Sequence, residues 1–337
     1  MFTRPLRALA LTATLFVTVT SCGLLDADDS THDPAPTQGL EISTIRVAVT
    51  KAIDTGPLYV GIEKDLFKKA GLIIEPVPVD GGGAAIQKMI GRDGVDIAYA
   101  TYGSTFIAQS QNAAQRRGGL KLVADSSTAG PECALVVAPP GSRVKDIKDL
   151  ATAKIAVTDT SSLTVPMIRS TLKTNGVDDR KVQWVQTTLG ETAAALATGR
   201  VDAAFVVEPF IELAKTLAGA NRIVDVAQGR TLNMAAAGYA TTGDFAAANP
   251  KAIDAFQRVM RKATDLAIAD RSLLEGTAVR YSKVDRDMAK RMPVMPTLQS
   301  TLDATRIQRA ADLLKEFGII STRLDVSKMI IPVLPTN

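Results

Sequence analysis

From Ile45 to Val226 the chain alternates two kinds of segment. Short runs rich in valine, isoleucine and alanine predict strands at residues 45–49, 72–79, 95–100 and 120–124. Longer stretches between them carry apolar side chains every three or four positions and predict helices near residues 57–69, 84–90 and 104–114. A second series follows, with strands at residues 134–138, 155–157, 182–185, 203–207 and 223–226 and helices such as residues 165–173. Strand–helix alternation implies parallel sheet with crossover helices, so each series reads as one doubly wound α/β unit. After Asn233 the pattern turns mainly helical, with Asn249-Pro250 opening an amphipathic helix that runs to Ala269 and another helix spanning residues 303–317. Terminal helices usually pack back on earlier structure. The chain is therefore expected to cross between the units twice, near residues 126–131 and 234–242, and paired crossings make a hinge.

One internal parallel links the two series. Ile90-Gly91-Arg92-Asp93-Gly94-Val95-Asp96-Ile97-Ala98 is similar to Leu196-Ala197-Thr198-Gly199-Arg200-Val201-Asp202-Ala203-Ala204: a helix end, a glycine, then Val-Asp opening a buried strand.

The amino terminus reads differently from the rest. Arg4 and Arg7 precede an apolar stretch from Ala8 to Val19 that fits a signal peptide and is short for a membrane span. Val19-Thr20-Ser21-Cys22 resembles a bacterial lipobox, which implies cleavage before Cys22, acylation of its thiol and anchoring to the cell membrane. The following stretch, with Asp26, Asp28, Asp29, Ser30, Pro34, Pro36 and Gly39, has too little apolar surface to fold and reads as a tether. The expected organisation is thus a signal peptide over residues 1–21, a lipidated tether over 22–44, one lobe from residues 45–128 plus 241–337, and a second lobe from residues 129–240.

At 337 residues, 46% hydrophobic and 22% charged, the chain suffices for two globular units. Setting aside Arg4 and Arg7, the 39 basic residues fall to 37 against 35 acidic ones, a balance that gives no reason to expect nucleic acid as a partner. The single histidine, His32, lies in the tether and excludes a metal centre built on clustered imidazoles. Of the two cysteines, Cys22 is assigned to lipid, and Cys133 sits in an apolar run that suits an inert thiol. No cofactor, no metal and no catalytic residue is expected.

Ligands of open parallel sheets bind beyond the carboxyl ends of the strands, and the residues there form a polar set. The first series supplies Asp54, Thr55 and Gly56, then Asp80, Gly81 and Gly82, then Tyr102, Gly103 and Ser104. The second supplies Thr160, Ser161 and Ser162, and Glu208 directly after a strand. By the internal parallel Glu208 takes the place of Tyr102, and both are expected to face a cleft. Serine, threonine and aspartate are also common helix caps, so Asp54 and Glu208 read equally as ligand contacts or as structural carboxylates.

These residues resemble the nitrate, sulfonate and taurine-type solute-binding family, which also includes binders of thiamine-pyrimidine precursors. The resemblance rests on Gly56-Pro57-Leu58-Tyr59-Val60, Leu66-Phe67-Lys68-Lys69-Ala70-Gly71-Leu72, the Gly81-Gly82-Gly83 loop, the Gly-x-Val-Asp-x-Ala strands and Glu208-Pro209-Phe210. It implies a two-lobed periplasmic-binding-protein-like (type II) α/β fold, a hinged trap that delivers a small molecule to an ABC permease. The protein would be extracytoplasmic, lipid-anchored and monomeric, and not an enzyme. Where the family often has glycine before the serine-rich helix start, this chain has Asp159-Thr160, which weakens the case for a small inorganic anion. A ligand-sensing lipoprotein reporting to a membrane receptor is the alternative. Thiamine-pyrimidine synthases share the fold, but they use histidine and a cysteine-rich iron motif that His32 and Cys133 do not supply.

Overall fold

A computed structural model describes residues 39–91, 94–160, 162–292 and 295–334. The leader, Cys22, the tether up to residue 38 with His32, and Ser161 lie outside the described residues. The chain runs through β1 (Thr44–Val49), α1 (Gly56–Glu63), α2 (Leu66–Lys69), β2 (Ile73–Pro78), α3 (Gly82–Ile90), β3 (Ile97–Thr101), α4 (Tyr102–Ser110) and β4 (Leu120–Ala129). It continues through β5 (Leu135–Ala138), β6 (Lys154–Val157), α5 (Thr164–Thr174), β7 (Gln183–Gln186), α6 (Leu189–Ala197), β8 (Ala203–Val206), α7 (Phe210–Ala218) and β9 (Asn221–Asp225). It then returns by β10 (Met234–Thr242), α8 (Gly243–Ala248), α9 (Pro250–Ala269), α10 (Arg271–Tyr281), α11 (Arg286–Arg291), β11 (Thr297–Leu298) and α12 (Ala304–Glu316).

The strands form two sheets, ordered β11-β4-β10-β3-β1-β2 and β7-β6-β8-β5-β9. Each has a parallel half, β2-β1-β3 and β7-β6-β8, as the alternation of strand and helix predicts. Beyond the parallel strands read from the alternation, each sheet has antiparallel members, because β10 runs antiparallel to β3 and β4, and β5 runs antiparallel to β8 and β9. The reason is connectivity: β4 leads the chain out of the first sheet and β10 leads it back, so the two run in opposite directions. β10 pairs with β4 from Met234 opposite Ala129 to Thr242 opposite Leu120. Residues 234–242, expected as a crossing, are thus a strand of the first sheet. The chain changes sheets between Ala129 and Leu135 and again between Asp225 and Met234.

The helix expected over residues 57–69 is two helices, broken where Asp65 takes a left-handed φ of 54°. The terminal helices return to the first sheet. On α9, Ile253, Phe256, Val259, Met260 and Ala263 recur at helical spacing and are buried with Val47, Leu58, Phe67 and Tyr239. The Phe256 ring centres 5.7 Å from Phe67 and 6.0 Å from Tyr239. On the other face Ile307, Ala310, Ala311 and Leu314 of α12 share a core with Phe106 of α4, Leu122 of β4, and Ile168 and Leu172 of α5. Both sheets therefore lie between helices, which leaves their strand ends as the places where loops can gather. Among the described residues no helix is long and apolar enough to cross a membrane.

Candidate functional site

Pairing register decides which loops leave the sheets together. In the first sheet Ala48 lies opposite Ala98 and Val49 opposite Pro78, so the segments after β1, β2 and β3 emerge side by side. In the second, Ala156 lies opposite Ala204 and Val157 opposite Gln186, so the segments after β6, β7 and β8 do the same. The two edges touch. A Cβ placed on Gly103 would lie 3.0 Å from the backbone nitrogen of Leu163 and 3.2 Å from its Cβ, so the absence of a side chain lets the start of α4 pack against the start of α5.

The internal parallel has a common physical basis in the two sheets. Asp96 accepts from the Arg46 N–H at 2.8 Å, and its own N–H donates to Arg46 O at 2.9 Å. Asp202 accepts from the Lys154 N–H at 2.7 Å and donates to Lys154 O at 2.9 Å. A hydroxyl caps each aspartate carbonyl at 2.6 Å, Thr241 on Asp96 and Ser142 on Asp202. The Val-Asp pair is a sheet-starting device, in which a side-chain carboxylate extends the ladder by one backbone donor.

The predicted rim residues separate into accessible and buried sets. Asp80 and Thr160 are exposed, and Gly81, Gly82, Ser104 and Ser162 are partly so. Gly82 stands 3.0 Å, measured from an added Cβ, from the Cα of Ala100, which seats the uncapped start of α3 directly against the end of β3. The start of α4 is capped instead, because Ser104 N–H donates to the Thr101 hydroxyl at 3.2 Å. Thr55 and Gly56, by contrast, are buried: the Thr55 hydroxyl donates to Ala52 O at 2.7 Å, and Gly56 packs against Thr277. They shape the turn into α1 and present no side chain to a crevice.

Asp54 is half-buried, and both of its oxygens are engaged. Tyr99 donates to Oδ1 at 2.6 Å and Ser127 donates to Oδ2, while Ser126 donates to the Asp54 carbonyl at 2.7 Å. Burial raises its carboxyl above the usual range, and the Ser127 and Tyr99 hydroxyls act against the rise. The carboxylate thereby ties the loop after β1 to β3 and β4.

The expectation that Tyr102 faces a cleft is corrected. Its side chain is 1% exposed, and its hydroxyl donates to Asp125 Oδ1 at 3.0 Å. Asp125 also accepts from the Ser126 N–H at 2.9 Å and forms an ion pair with Arg306 of α12, the two side chains being 0% and 13% exposed. The aromatic ring follows the core face of α4 beside Phe106, so the hydroxyl is drawn inward to the strand that leaves the sheet.

Residues 52–272 match the NMT1/THI5-like sequence pattern. The chain belongs to that family. No curated protein sequence matches it. Among solved structures it is similar to the periplasmic aliphatic sulphonate binding protein SsuA of Escherichia coli, with a TM-score of 0.71 and 18% identity over 86% of this chain and 97% of that one. It is also similar to the periplasmic nitrate-binding protein NrtA of Synechocystis, with a TM-score of 0.68 and 14% identity over 88% and 87%. A Candida albicans protein described as having the generic periplasmic binding protein fold gives 0.68 and 17% over 88% and 99%. At these identities the likeness carries the fold, which is the two-lobed periplasmic-binding-protein architecture.

Among the described rim residues of this NMT1/THI5-like protein, Glu208 has a buried side-chain oxygen without a partner. Its Oε2 accepts from the Glu212 N–H at 3.4 Å, while its Oε1 is buried without a partner. Burial pushes its carboxyl up to about 7, and the neighbouring Glu212 charge adds to the rise. Two further polar residues beyond strand ends were not singled out in the sequence. Lys51 is exposed in the loop after β1, and Thr188 is exposed and caps α6 with the Glu191 N–H at 3.3 Å; Thr101, the polar residue just ahead of Tyr102, is exposed and caps α4. Their signal was the same one that found the others, the first polar residues after a strand. A surface cavity of about 570 Å³ lies away from these edges, between Arg169 and Lys173 of α5 and Glu316 and Phe317. Its charges are already paired, Arg169 with Asp179 and Lys173 with Glu316, so it offers little for a ligand.

Proposed function

We propose that the protein is an extracytoplasmic solute-binding lipoprotein that holds one small polar molecule between its two lobes and presents it to an ABC-type permease. The observation that carries the reading is the meeting of two strand-end edges at Gly103 and Leu163, with accessible polar groups on both sides of the contact. Open α/β sheets bind ligands at such edges, and a site divided between two lobes can close by rotation about the two connecting segments. The neighbours whose names specify sulphonate and nitrate binding support the ligand size class. In this reading Cys22 carries the lipid, which keeps the folded part near its membrane partner, and the ligand contacts come from Asp80, Gly81, Gly82, Ser104, Thr160, Ser161, Ser162 and Glu208.

Titration calorimetry on purified protein, guided by a thermal-shift screen of sulfonates, amino acids, pyrimidines and aromatic carboxylates, tests the central part. One saturable site is expected; no binding by any class contradicts the reading. The anchor has its own test. Mass spectrometry of membrane-extracted protein should find a mature chain starting at Cys22 with attached acyl groups, and Cys22→Ser should release the protein from the membrane.

A further inference from the structure

We infer that the ligand of the rim site carries a cationic or hydrogen-bearing nitrogen, and that Glu208 is the residue selecting for it. The inference rests on the solute-binding reading and names the chemistry that the site prefers.

Glu208 follows β8, the strand flanked by β6 and β5, so it stands beside the loop that ends at Leu163 and the contact with Gly103. Four buried side-chain atoms lack a partner among the described residues: Glu208 Oε1, Tyr239 OH, Gln257 Oε1 and Arg306 Nη1. The last three belong to β10, α9 and α12, on the first sheet's core side. Glu208 Oε1 is the one at a strand-end edge. A buried carboxylate oxygen without a donor is unfavourable, and among the described residues no ion pair reaches it. The nearby Arg291 Nε lies 4.0 Å from Glu212 Oε1 and pairs with that residue instead. Glu212 itself gives Glu208 a backbone N–H and a repelling charge.

A charge on the first sheet's edge points the same way. Asp80, in the loop after β2, is an exposed acid. An exposed acid after β2 together with the buried oxygen of Glu208 after β8 favours a ligand with positive or donor character at one end. Its opposite end meets the hydroxyls of Thr101 and Ser104, which share a hydrogen bond and leave one proton to donate, and the uncapped start of α3, which suit an oxygen-bearing group. An inorganic oxyanion offers Glu208 nothing to accept from, and would meet the acidic side of the rim.

Matched pairs separate this idea from its alternatives. Binding is measured by calorimetry at pH 7.5 for 2-aminoethanesulfonate against ethanesulfonate, β-alanine against propionate, and 4-aminopyrimidine against pyrimidine, with the wild-type protein and with Glu208→Gln. The expected result is that binding is confined to the nitrogen-donor member of a pair, and that Glu208→Gln weakens it by about tenfold to a hundredfold, the worth of a charge-assisted hydrogen bond. Circular dichroism and the melting temperature of Glu208→Gln establish that it is folded. If the member lacking the donor binds equally well, or Glu208→Gln binds as wild type, the inference is overturned while solute binding stands. If neither these compounds nor any class in the wider thermal-shift screen binds either protein, the solute-binding reading itself fails and takes the inference with it.

Discussion

Glu208 carries a consequence that needs no ligand. Its carboxyl lies near 7 in the folded protein and near 4.5 when unfolded, so the folded state binds more protons between those values. Stability tied to this group is therefore fully present below about pH 4.5 and declines as pH rises to about 7. Glu212 is the charged neighbour acting on it, with Arg291 paired to Glu212. Glu208→Gln removes the charged form altogether. It is expected to raise the melting temperature by a few degrees at pH 8 and to leave it little changed at pH 4.5, as read by calorimetric scans at the two values.

At the same scale, Asp125 and Arg306 form a buried pair whose halves cannot be removed singly without penalty. Arg306→Met leaves Asp125 uncompensated at 0% side-chain exposure, and the expected loss is about 3–5 kcal/mol in denaturant unfolding. Asp125→Asn combined with Arg306→Met should recover a substantial part. Equal losses in the single and double variants would show that the arginine stabilises through packing rather than charge. None of this pair was legible in the sequence. Asp125 lies at the end of a strand pattern and Arg306 in a helix 181 positions away, and only the folded sheet brings them together.

Elements were the most legible level. Runs of β-branched residues and helical periodicity placed the strands and most helices, because both signals are local and burial on one face enforces them. Strand direction was less accessible: whether β10 belonged to a crossing or a sheet depended on pairing with β4, a contact across more than a hundred residues of chain that no local pattern records. The candidate site was legible in outline for a similar reason. Polar residues after strands are visible in sequence, but Tyr102, Thr55 and Gly56 turned inward under packing that the sequence does not show. The Val-Asp repeat, in contrast, had physical content. Asp96→Ala and Asp202→Ala each leave one strand donor unmatched and should cost about 1–3 kcal/mol, with the asparagine variants milder because an amide oxygen still accepts. A loss at one position and none at the other would break the equivalence of the two sheets.

The start of α4 offers a test between element and assembly. Gly103→Val places branched carbons where Leu163 lies, so the two edges must separate. The variant is expected to keep its helical content and most of its stability, to scatter X-rays with a larger radius of gyration, and to bind ligand at least tenfold more weakly. Unchanged affinity would mean that the contact is incidental to capture.

At the scale of the whole molecule, α9 and α12 return after the second sheet to pack on the first, and under the proposed function the strand-end edges of the two sheets form a single receptor. The strands that lead the chain out of the first sheet and back into it, β4 and β10, lie side by side, and β4 is tied to the loop after β1 through Asp54, Ser126 and Ser127 and to the start of α4 through Tyr102 and Asp125. Under the proposed function, movement of one lobe against the other would thus be felt at the loops proposed to hold the ligand. A crystal structure of the protein with its bound solute tests this most directly. The account predicts density enclosed between Thr101–Ser104 on one side and Ser162 and Glu208 on the other, with a nitrogen of the solute within hydrogen-bonding reach of Glu208 Oε1. Density on one lobe alone, or in the cavity between Arg169 and Phe317, would contradict it.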